Sequence, residues 1–255
     1  MPENSIVLNS NKPERVQILG YPIDRVTIDQ TKQLFLDYLK EPFTKTNLVL
    51  TADSNAFVSA ETDPEYQRLF AEAALITPDS AGPVWALGRI GKAVEGRVSG
   101  VDLLEVLCSI SEDTGSSIFF LGSAPGIAKA AVENLKLKHP KMVVAGVRDG
   151  FFKQSTDQEI AKQIAETKPD ILVVAMGMPR QELFILDTAS TIGAKIGIGV
   201  GGSLDVHSGT VKRAPKLIQQ IRMEWLWRFI LNPRKIAKVK NLPIFYMKVR
   251  RMKAQ

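Results

Sequence analysis

The sequence has few of the residues that cross-link chains or hold metal ions. Its one cysteine, Cys108, cannot form an internal disulfide and fits a reducing cytoplasm, and its apolar surroundings in residues 101–110 predict a buried side chain. Its two histidines, His139 and His207, are too few and too isolated in sequence for a zinc site. No Asp-x-Asp pair offers a magnesium cradle. We therefore expect no metal ion and no cofactor.

Long apolar runs are also missing. Arg222, Glu224 and Arg228 interrupt the longest one, so no segment reaches the roughly 20 residues that a membrane-spanning helix needs. Residues 1–15 are polar and lack the apolar centre of a secretory signal. The expected location is the cytoplasm, with the protein peripheral at the inner face of the cell membrane.

Acidic residues are nearly absent from the last part of the chain. Residues 212–255 contain 13 Lys and Arg but a single acid, Glu224, whereas residues 1–211 contain 20 basic and 26 acidic side chains. Trp, Phe, Ile and Leu lie between these cations, a mixture that suits an anionic lipid headgroup boundary better than nucleic acid. Self-association is an alternative way to cover this apolar surface, which leaves a homo-oligomer open.

The chain is therefore predicted to have two parts. Residues 1–211 form an α/β domain, and residues 212–255 form a basic, apolar, helical appendage that docks on a membrane. Asn-Pro and Asn-Leu-Pro breaks at 232–233 and 241–243 divide the appendage into about three short helices. We expect its part up to about residue 231 to pack on the domain and residues 235–253 to face phosphate groups.

From residue 47 onward, short β-branched runs alternate with segments of helical period, which predicts an α/β fold. The expected architecture is a mostly parallel, Rossmann-like open sheet with helices on both faces. Predicted strands cover residues 47–50, 74–76, 117–121, 142–145, 171–175 and 195–198, and predicted helices include residues 127–138, 157–167 and 180–191. Gly, Ser, Asp and Pro follow every strand. Since ligands bind at the carboxyl edge of such sheets, one crevice is expected there.

Asp79 follows a predicted strand and precedes a helical stretch. A carboxylate partly removed from water in a crevice has a raised pKa, which suits a general base acting on a sugar hydroxyl. The simpler interpretation is that Asp79 caps the helix.

Two glycine-containing turns have patterns that could bind phosphate groups. Gly122 and Ser123 open a strand-to-helix turn, Gly122-Ser-Ala-Pro-Gly126, whose N–H groups could receive a diphosphate, although the same pattern suits a plain tight turn. The turn is not G-x-G-x-x-G, and no Walker-type G-K-[ST] is present, which argues against hydrolysis of a nucleoside triphosphate. Arg97 lies in another glycine-flanked loop, where a guanidinium can hold a diphosphate through two N–H groups.

Two further polar side chains follow apolar strands. Gln181 is predicted in the first turn of a helix, where its amide could bond a sugar hydroxyl, and Asp205 could serve a ribose, a base or only the turn. With no metal expected, the charge of a leaving diphosphate would be met by arginines of the appendage, such as Arg222, Arg228 and Arg234.

Taken in order, these motifs resemble the WecG/TagA/CpsF glycosyltransferases over about residues 16–234. Members of that family transfer an N-acetylmannosamine-type sugar from a UDP donor to undecaprenyl-diphosphate-linked N-acetylglucosamine, with inversion and without a metal. The segments that carry the resemblance are Thr51, Pro78 to Trp85, Glu95 to Asp102, Phe120 to Ser123, Gly177 to Glu182, Gly201 to Asp205, Ala214-Pro215, and Glu224 to Arg228 with Pro233-Arg234.

The resemblance assigns roles residue by residue. It implies that Asp79 is the base and that Thr51 is its catalytic partner, lining the same pocket. Arg97 and Gln181 would surround the donor diphosphate and sugars, Asp205 would lie near the nucleoside, and Arg228 would come over the pocket with the appendage. One departure concerns Asp53, which stands where many members have Asn, so that a neutral amide is replaced by a carboxylate in this substrate-binding position.

Two other classes of protein remain as alternatives. A Rossmann-type NAD- or S-adenosylmethionine-dependent enzyme is suggested by the glycine-rich strand ends, but the turn at Gly122 lacks the dinucleotide fingerprint and no ribose-binding acid follows at the usual spacing. A non-catalytic protein that binds an anionic surface through its basic tail is the other alternative.

Overall fold

The protein is described by a computed structural model, which covers residues 12–211 and 241–252. Strands β1 to β8 are Glu14–Ile18, Tyr21–Arg25, Asn47–Ala52, Leu75–Pro78, Ser117–Gly122, Val143–Arg148, Ile171–Ala175 and Ile196–Gly199. Helices α1 to α10 are Ile28–Lys40, Ser54–Ala60, Pro64–Glu72, Ala81–Arg89, Gly100–Thr114, Ile127–Lys138, Asp157–Glu166, Arg180–Ile192, Ser203–His207 and Asn241–Arg251.

Six of the strands form one parallel sheet in the order β4-β3-β8-β7-β5-β6. All six carboxyl ends therefore lie on the same edge, so the loops that follow them converge. The predicted parallel sheet is confirmed, and each predicted strand overlaps an observed one. Helix α6 has the predicted bounds, Ile127–Lys138.

Successive side chains of the strands point alternately into two separate hydrophobic cores, one on each face of the sheet. In β3, Leu48 and Leu50 point into the core with α2, α3, α7, α8 and α10, whereas Val49 points into the core with α1, α5 and α6. The central strands are buried on both faces, as their continuous apolar sequences require. Strand β6 lies at the edge, and Val143 and Val147 are partly exposed there. The predicted arrangement of helices on both faces is confirmed.

A hairpin that the sequence had not suggested covers the other edge. Strands β1 and β2 pair antiparallel across Leu19 and Gly20, which both have positive φ (53° and 85°), as a type I′ turn requires. Asp24 of β2 is almost fully buried, and its Oδ2 accepts a hydrogen bond of 2.8 Å from the backbone N–H of Ile76 in β4. Arg15 donates to both oxygens of the same carboxylate at 2.7 and 2.8 Å. The ion pair joins the two strands of the hairpin, and the bond from Ile76 fixes the hairpin to the sheet.

Helix α10 belongs to the basic appendage, and it docks on the α/β body. Phe245 and Val249 are fully buried, and the Phe245 ring lies 5.9 Å from the ring of Phe57 in α2. Their spacing of four residues places both on one helical face. The expectation that residues 235–253 face phosphate groups is therefore wrong for this face of α10, where two apolar side chains are buried against the body.

Polar contacts fix the same helix at both ends. Asn241 Nδ2 donates to Oδ1 of Asn55 at 2.6 Å, and Lys248 Nζ lies 2.6 Å from Oε2 of Glu61. The opposite face exposes Met247 and two arginines near the end of the helix. The other tail residues expected to pack or bind, residues 212–240, lie outside the described ranges. Among the described residues, no helix is long and apolar enough to cross a membrane.

Replacing Phe245 tests the docking of α10. Phe245→Ala leaves a cavity between α10, α2 and α4, and we expect the free energy of unfolding to fall by about 3 kcal/mol, as for other buried aromatic truncations. Met247→Ala is the matched control, since Met247 is 55% exposed and should change stability little. Urea unfolding of both variants measures the difference. Equal stability of the two variants would show that α10 does not pack in this way.

Candidate active site

The carboxylate of Asp79, just after β4, is held by the start of α5. Its Oδ1 accepts a hydrogen bond of 2.9 Å from the backbone N–H of Gly100, and its own N–H donates to the Ala52 carbonyl at 3.1 Å. Ser80, and not Asp79, occupies the N-cap position of α4. The helix-capping interpretation is therefore wrong for α4, and the carboxylate instead accepts the N–H of the first residue of α5.

The end of β8 connects Asp79 to Thr51. The Thr51 hydroxyl donates to the Gly199 carbonyl at 3.2 Å. A Cβ at Gly100 would lie 3.3 Å from Cα of Val200, so the start of α5 packs tightly on the same strand end. The two predicted catalytic residues consequently share one edge of the sheet and one supporting strand.

Arg97 is brought to this edge by the loop between α4 and α5. The N–H of the next residue, Val98, donates to the Pro78 carbonyl at 2.9 Å, and the buried hydroxyl of Thr77 donates to the Val98 carbonyl at 2.9 Å. Arg97 itself is half-buried. The loop therefore places Arg97 beside β4, the strand that ends just before Asp79.

Gln181 joins the turns that follow β7 and β8. Its Oε1 accepts hydrogen bonds of 3.0 Å from the N–H groups of both Gly177 and Gly201, and its Nε2 donates to Oε1 of Glu182 at 2.7 Å. Both side chains are buried, and a Cβ at Gly199 would lie 2.4 Å from Nε2 of Gln181. In this structure the Gln181 amide thus holds the turns after β7 and β8 together. Its contact with a sugar stays a prediction.

Asp53 caps α2. Its Oδ1 accepts a hydrogen bond of 2.9 Å from the Ala56 N–H. Asn and Asp cap helices about equally well, so the departure from the family's usual Asn keeps the start of α2. Burial, followed by the charges of Asp53 and Glu182, raises the pKa of Tyr66 to about 12. Two acidic side chains therefore act on the same phenol beneath this edge. Binding of substrate by Asp53 stays a prediction.

The turn after β5 approaches β7 without room for a side chain. Gly122 has φ 131°, and a Cβ there would lie 2.4 Å from the Ala175 carbonyl oxygen. Ser123 follows in the left-handed region with φ 58°, and its N–H donates to the same carbonyl at 2.8 Å. Its hydroxyl donates to Oδ2 of Asp205 at 3.3 Å. The structure thus brings together these predicted binding residues at the carboxyl edge.

The spacing G-x-G-x-x-G does occur once in the chain, at Gly197, Gly199 and Gly202. The first two of these glycines lie within β8 and not in a strand-to-helix turn. At Gly197 a Cβ would lie 2.4 Å from a methyl group of Ile185, so the missing side chain admits α8 to the sheet. This glycine pattern therefore serves packing.

Some predicted residues cannot be placed. Arg228, with Arg222 and Arg234, lies outside the described residues. Within residues 12–211 and 241–252, no group of three or more His, Cys, Asp or Glu side chains is arranged to hold a metal ion.

Sequence reasoning missed two residues of this edge. Gly100, the donor to Asp79, had only the signal of a glycine after a serine at a helix start, and Glu182 had only that of an acid in the first turn of a helix, although it is fully buried. It also missed a separate cleft of about 360 Å³ between the hairpin and the loop after α4. None of the predicted site residues lines this cleft, which is formed by Lys12, Pro13, Glu14, Arg25, Val26, Thr27, Gln30, Ala93, Val94 and Glu95.

A parallel sheet whose carboxyl edge gathers a half-buried carboxylate, an arginine and glycine-rich turns is typical of enzymes that act on nucleotide-linked substrates. A profile of the glycosyl transferase WecG/TagA/CpsF family matches residues 16–255, and the chain belongs to this family. It is therefore a glycosyltransferase.

The names of similar proteins are consistent with this family assignment. A protein of Bacillus spizizenii named N-acetylglucosaminyldiphosphoundecaprenol N-acetyl-beta-D-mannosaminyltransferase is 31% identical over 226 residues, which is 87% of each chain. A Staphylococcus aureus protein of the same name is 29% identical over 239 residues, or 94% of this chain and 93% of the relative.

Proposed function

We propose that this glycosyltransferase moves an N-acetylmannosamine-type sugar from a UDP donor to an undecaprenyl-diphosphate-linked N-acetylglucosamine. The names of its relatives support both the sugar and the acceptor. The observation that carries the proposal is the position of Asp79 at the edge where Thr51, Arg97 and the glycine-rich turns converge. The product would belong to the synthesis of a surface polysaccharide or teichoic acid.

In the proposed reaction, Asp79 takes the proton of the acceptor hydroxyl while the oxygen of that hydroxyl attacks the anomeric carbon of the donor sugar. The bond from that carbon to the donor phosphate breaks on the opposite face, UDP leaves, and the new linkage has inverted configuration. The acceptor oxygen becomes the glycosidic oxygen, and the proton stays on the carboxyl group. Thr51 would help to line the pocket.

The departing diphosphate needs positive charge and N–H donors. We propose that Arg97, Arg228 and N–H groups of the turn from Gly122 to Gly126 supply them without a metal ion. The Ser123 N–H is not among these donors, because it already bonds the Ala175 carbonyl. Each donor would contribute about 3–4 kcal/mol if it is already in place. Asp205 would lie near the nucleoside, and Gln181 and Asp53 near the sugars.

The acceptor is a lipid, so the protein must meet a membrane surface. We propose that it binds the inner face of the cell membrane peripherally, through the basic residues after Val211 and the exposed face of α10. A chain truncated after Val211 should lose activity and flotation with anionic vesicles together. Retention of both would end this part of the proposal.

Mass spectrometry with a short-chain polyprenyl-diphosphate N-acetylglucosamine acceptor tests the function. With UDP-N-acetylmannosamine, the acceptor should gain one N-acetylhexosamine, and chelation of metals should leave the rate unchanged. UDP-N-acetylglucosamine serves as the control donor. NMR of the product gives the anomeric configuration of the new linkage. If no UDP-sugar modifies the acceptor, the proposed function is wrong.

A further inference from the structure

Both histidines of the chain lie at one carboxylate, although they are far apart in sequence. Nδ1 of His207 is 3.6 Å from Oε1 of Glu105, and Nε2 of His139 is 3.5 Å from the other oxygen of that carboxylate. Lys138 Nζ lies 2.6 Å from Oε1. The three groups come from α9 and the end of α6, and Glu105 comes from α5, so the cluster links three helices.

Glu105 is the ionised centre of this cluster. Burial disfavours its charged form, but the hydrogen bond and charge of Lys138, the charge of His207 and the hydrogen bond of His139 lower its pKa on balance. Nearby, burial and then the charges of Glu105 and Glu112 raise the pKa of Cys108 to about 12. A protonated histidine is therefore attracted to this site.

The remaining charged neighbours belong to α5 and to the end of α6. Glu112 accepts hydrogen bonds from the Lys141 N–H at 3.0 Å and from Nδ1 of His139 at 2.9 Å. The bond from Lys141, followed by that from His139, lowers the pKa of Glu112. Glu112 faces His139. Among the described residues, the cluster is not arranged to hold a metal ion. Its chemistry is that of ion pairs whose strength depends on protonation of the imidazoles.

His207 shares a five-residue helix with Asp205. On one side of α9, Leu204 is fully buried in the core with α5 and α6, and Asn134 of α6 donates to the His207 carbonyl at 2.9 Å. Asp205 meets Ser123 at the carboxyl edge. Because the helix is so short, a shift of His207 relative to α5 must also shift Asp205.

We infer that His207 is a positioning residue: its contact with Glu105 holds α9 and so sets Asp205 for the nucleoside of the donor. This inference rests on the proposed function, in which Asp205 lies near the nucleoside. When His207 is protonated, its attraction to Glu105 restrains α9, and when it loses the proton the restraint weakens. The chain should therefore bind the nucleotide more tightly at lower pH within the range where histidine titrates.

Calorimetric titration of the full chain with UDP tests this without any need for turnover. UDP affinity is measured at about pH 6 and about pH 8, which bracket histidine titration. The phosphates of UDP also titrate, so each variant is compared with the unaltered chain. Relative to His207→Gln and Glu105→Gln, the unaltered chain should bind about threefold to fivefold more tightly at the lower pH, and equally at the higher one, as expected for a partly exposed ion pair.

His139→Gln is the matched control, because it removes a histidine from the same carboxylate without altering α9. It should keep the pH response of the unaltered chain. Two variants of the contact are used so that one still decides if the other fails to fold, as judged by thermal unfolding. Equal pH responses in all forms, or loss of the response in His139→Gln as well, would overturn the inference and leave the proposed function standing. Failure of the unaltered chain to bind UDP would overturn both.

Discussion

Asp79→Asn is expected to lower turnover about a thousandfold, the contribution of a well-placed general base, while leaving UDP affinity within a factor of about two. The amide oxygen of Asn can still accept the hydrogen bond from Gly100, so the start of α5 should stay in place. What the variant lacks is a group that can take the proton of the acceptor hydroxyl. Turnover is followed by UDP release, and UDP affinity by calorimetry.

Asp63→Asn is the control for this substitution. Asp63 also accepts a backbone hydrogen bond, 2.9 Å from the Glu65 N–H at the start of α3, but it is remote from the strand ends that carry the site. Its replacement should leave turnover unchanged. If Asp79→Asn turned over at a rate similar to that of Asp63→Asn, another group would have to be the base.

Gly122→Ala is expected to have the largest effect on stability, a loss of about 4 kcal/mol or more in the free energy of unfolding. A methyl group there would collide with the backbone of Ala175 at 2.4 Å, and the φ of 131° is one that L-residues rarely adopt. Neither β5 nor β7 can yield, because both are central in the sheet. The variant should unfold at much lower urea concentration or fail to accumulate.

Gly126→Ala separates the collision from the backbone conformation. Gly126 lies in the same turn and has φ 82°, but a Cβ there would meet nothing within 4 Å. Its replacement should cost only about 1 kcal/mol, the price of the left-handed conformation. Similar losses in the two variants would mean that the turn does not approach β7 as described.

The sheet could be predicted from the sequence because its strands are short, apolar and buried on both faces. Strand β7, Ile171–Ala175, has the predicted bounds, and it owes them to a run of Ile, Leu and Val between polar residues. Helix α6 likewise follows from its apolar period. The shared position of the strand ends followed as well, since parallel strands place their carboxyl ends at one edge of the sheet.

What the sequence did not reveal depends on contacts between distant residues. Hairpin β1–β2 buries Val16, Ile18 and Ile23 in the core of distant helices. Its polar anchors, the ion pair of Asp24 with Arg15 and the bond from Ile76 to Asp24, also join residues that are far apart in sequence. The residues that bond the Gln181 amide, Gly177 and Gly201, are separated along the chain, and only the neighbouring positions of β7 and β8 bring them together. The sequence of α10 shows which apolar side chains form its buried face, but it does not show which surface of the protein this face packs against.

A crystal structure of the chain with UDP would test the central claim most directly. The account predicts the diphosphate at the carboxyl edge, within hydrogen-bonding distance of Arg97 and the turn at Gly122, with the nucleoside beside Asp205. Binding of UDP in the hairpin cleft, or anywhere away from the ends of the parallel strands, would contradict it.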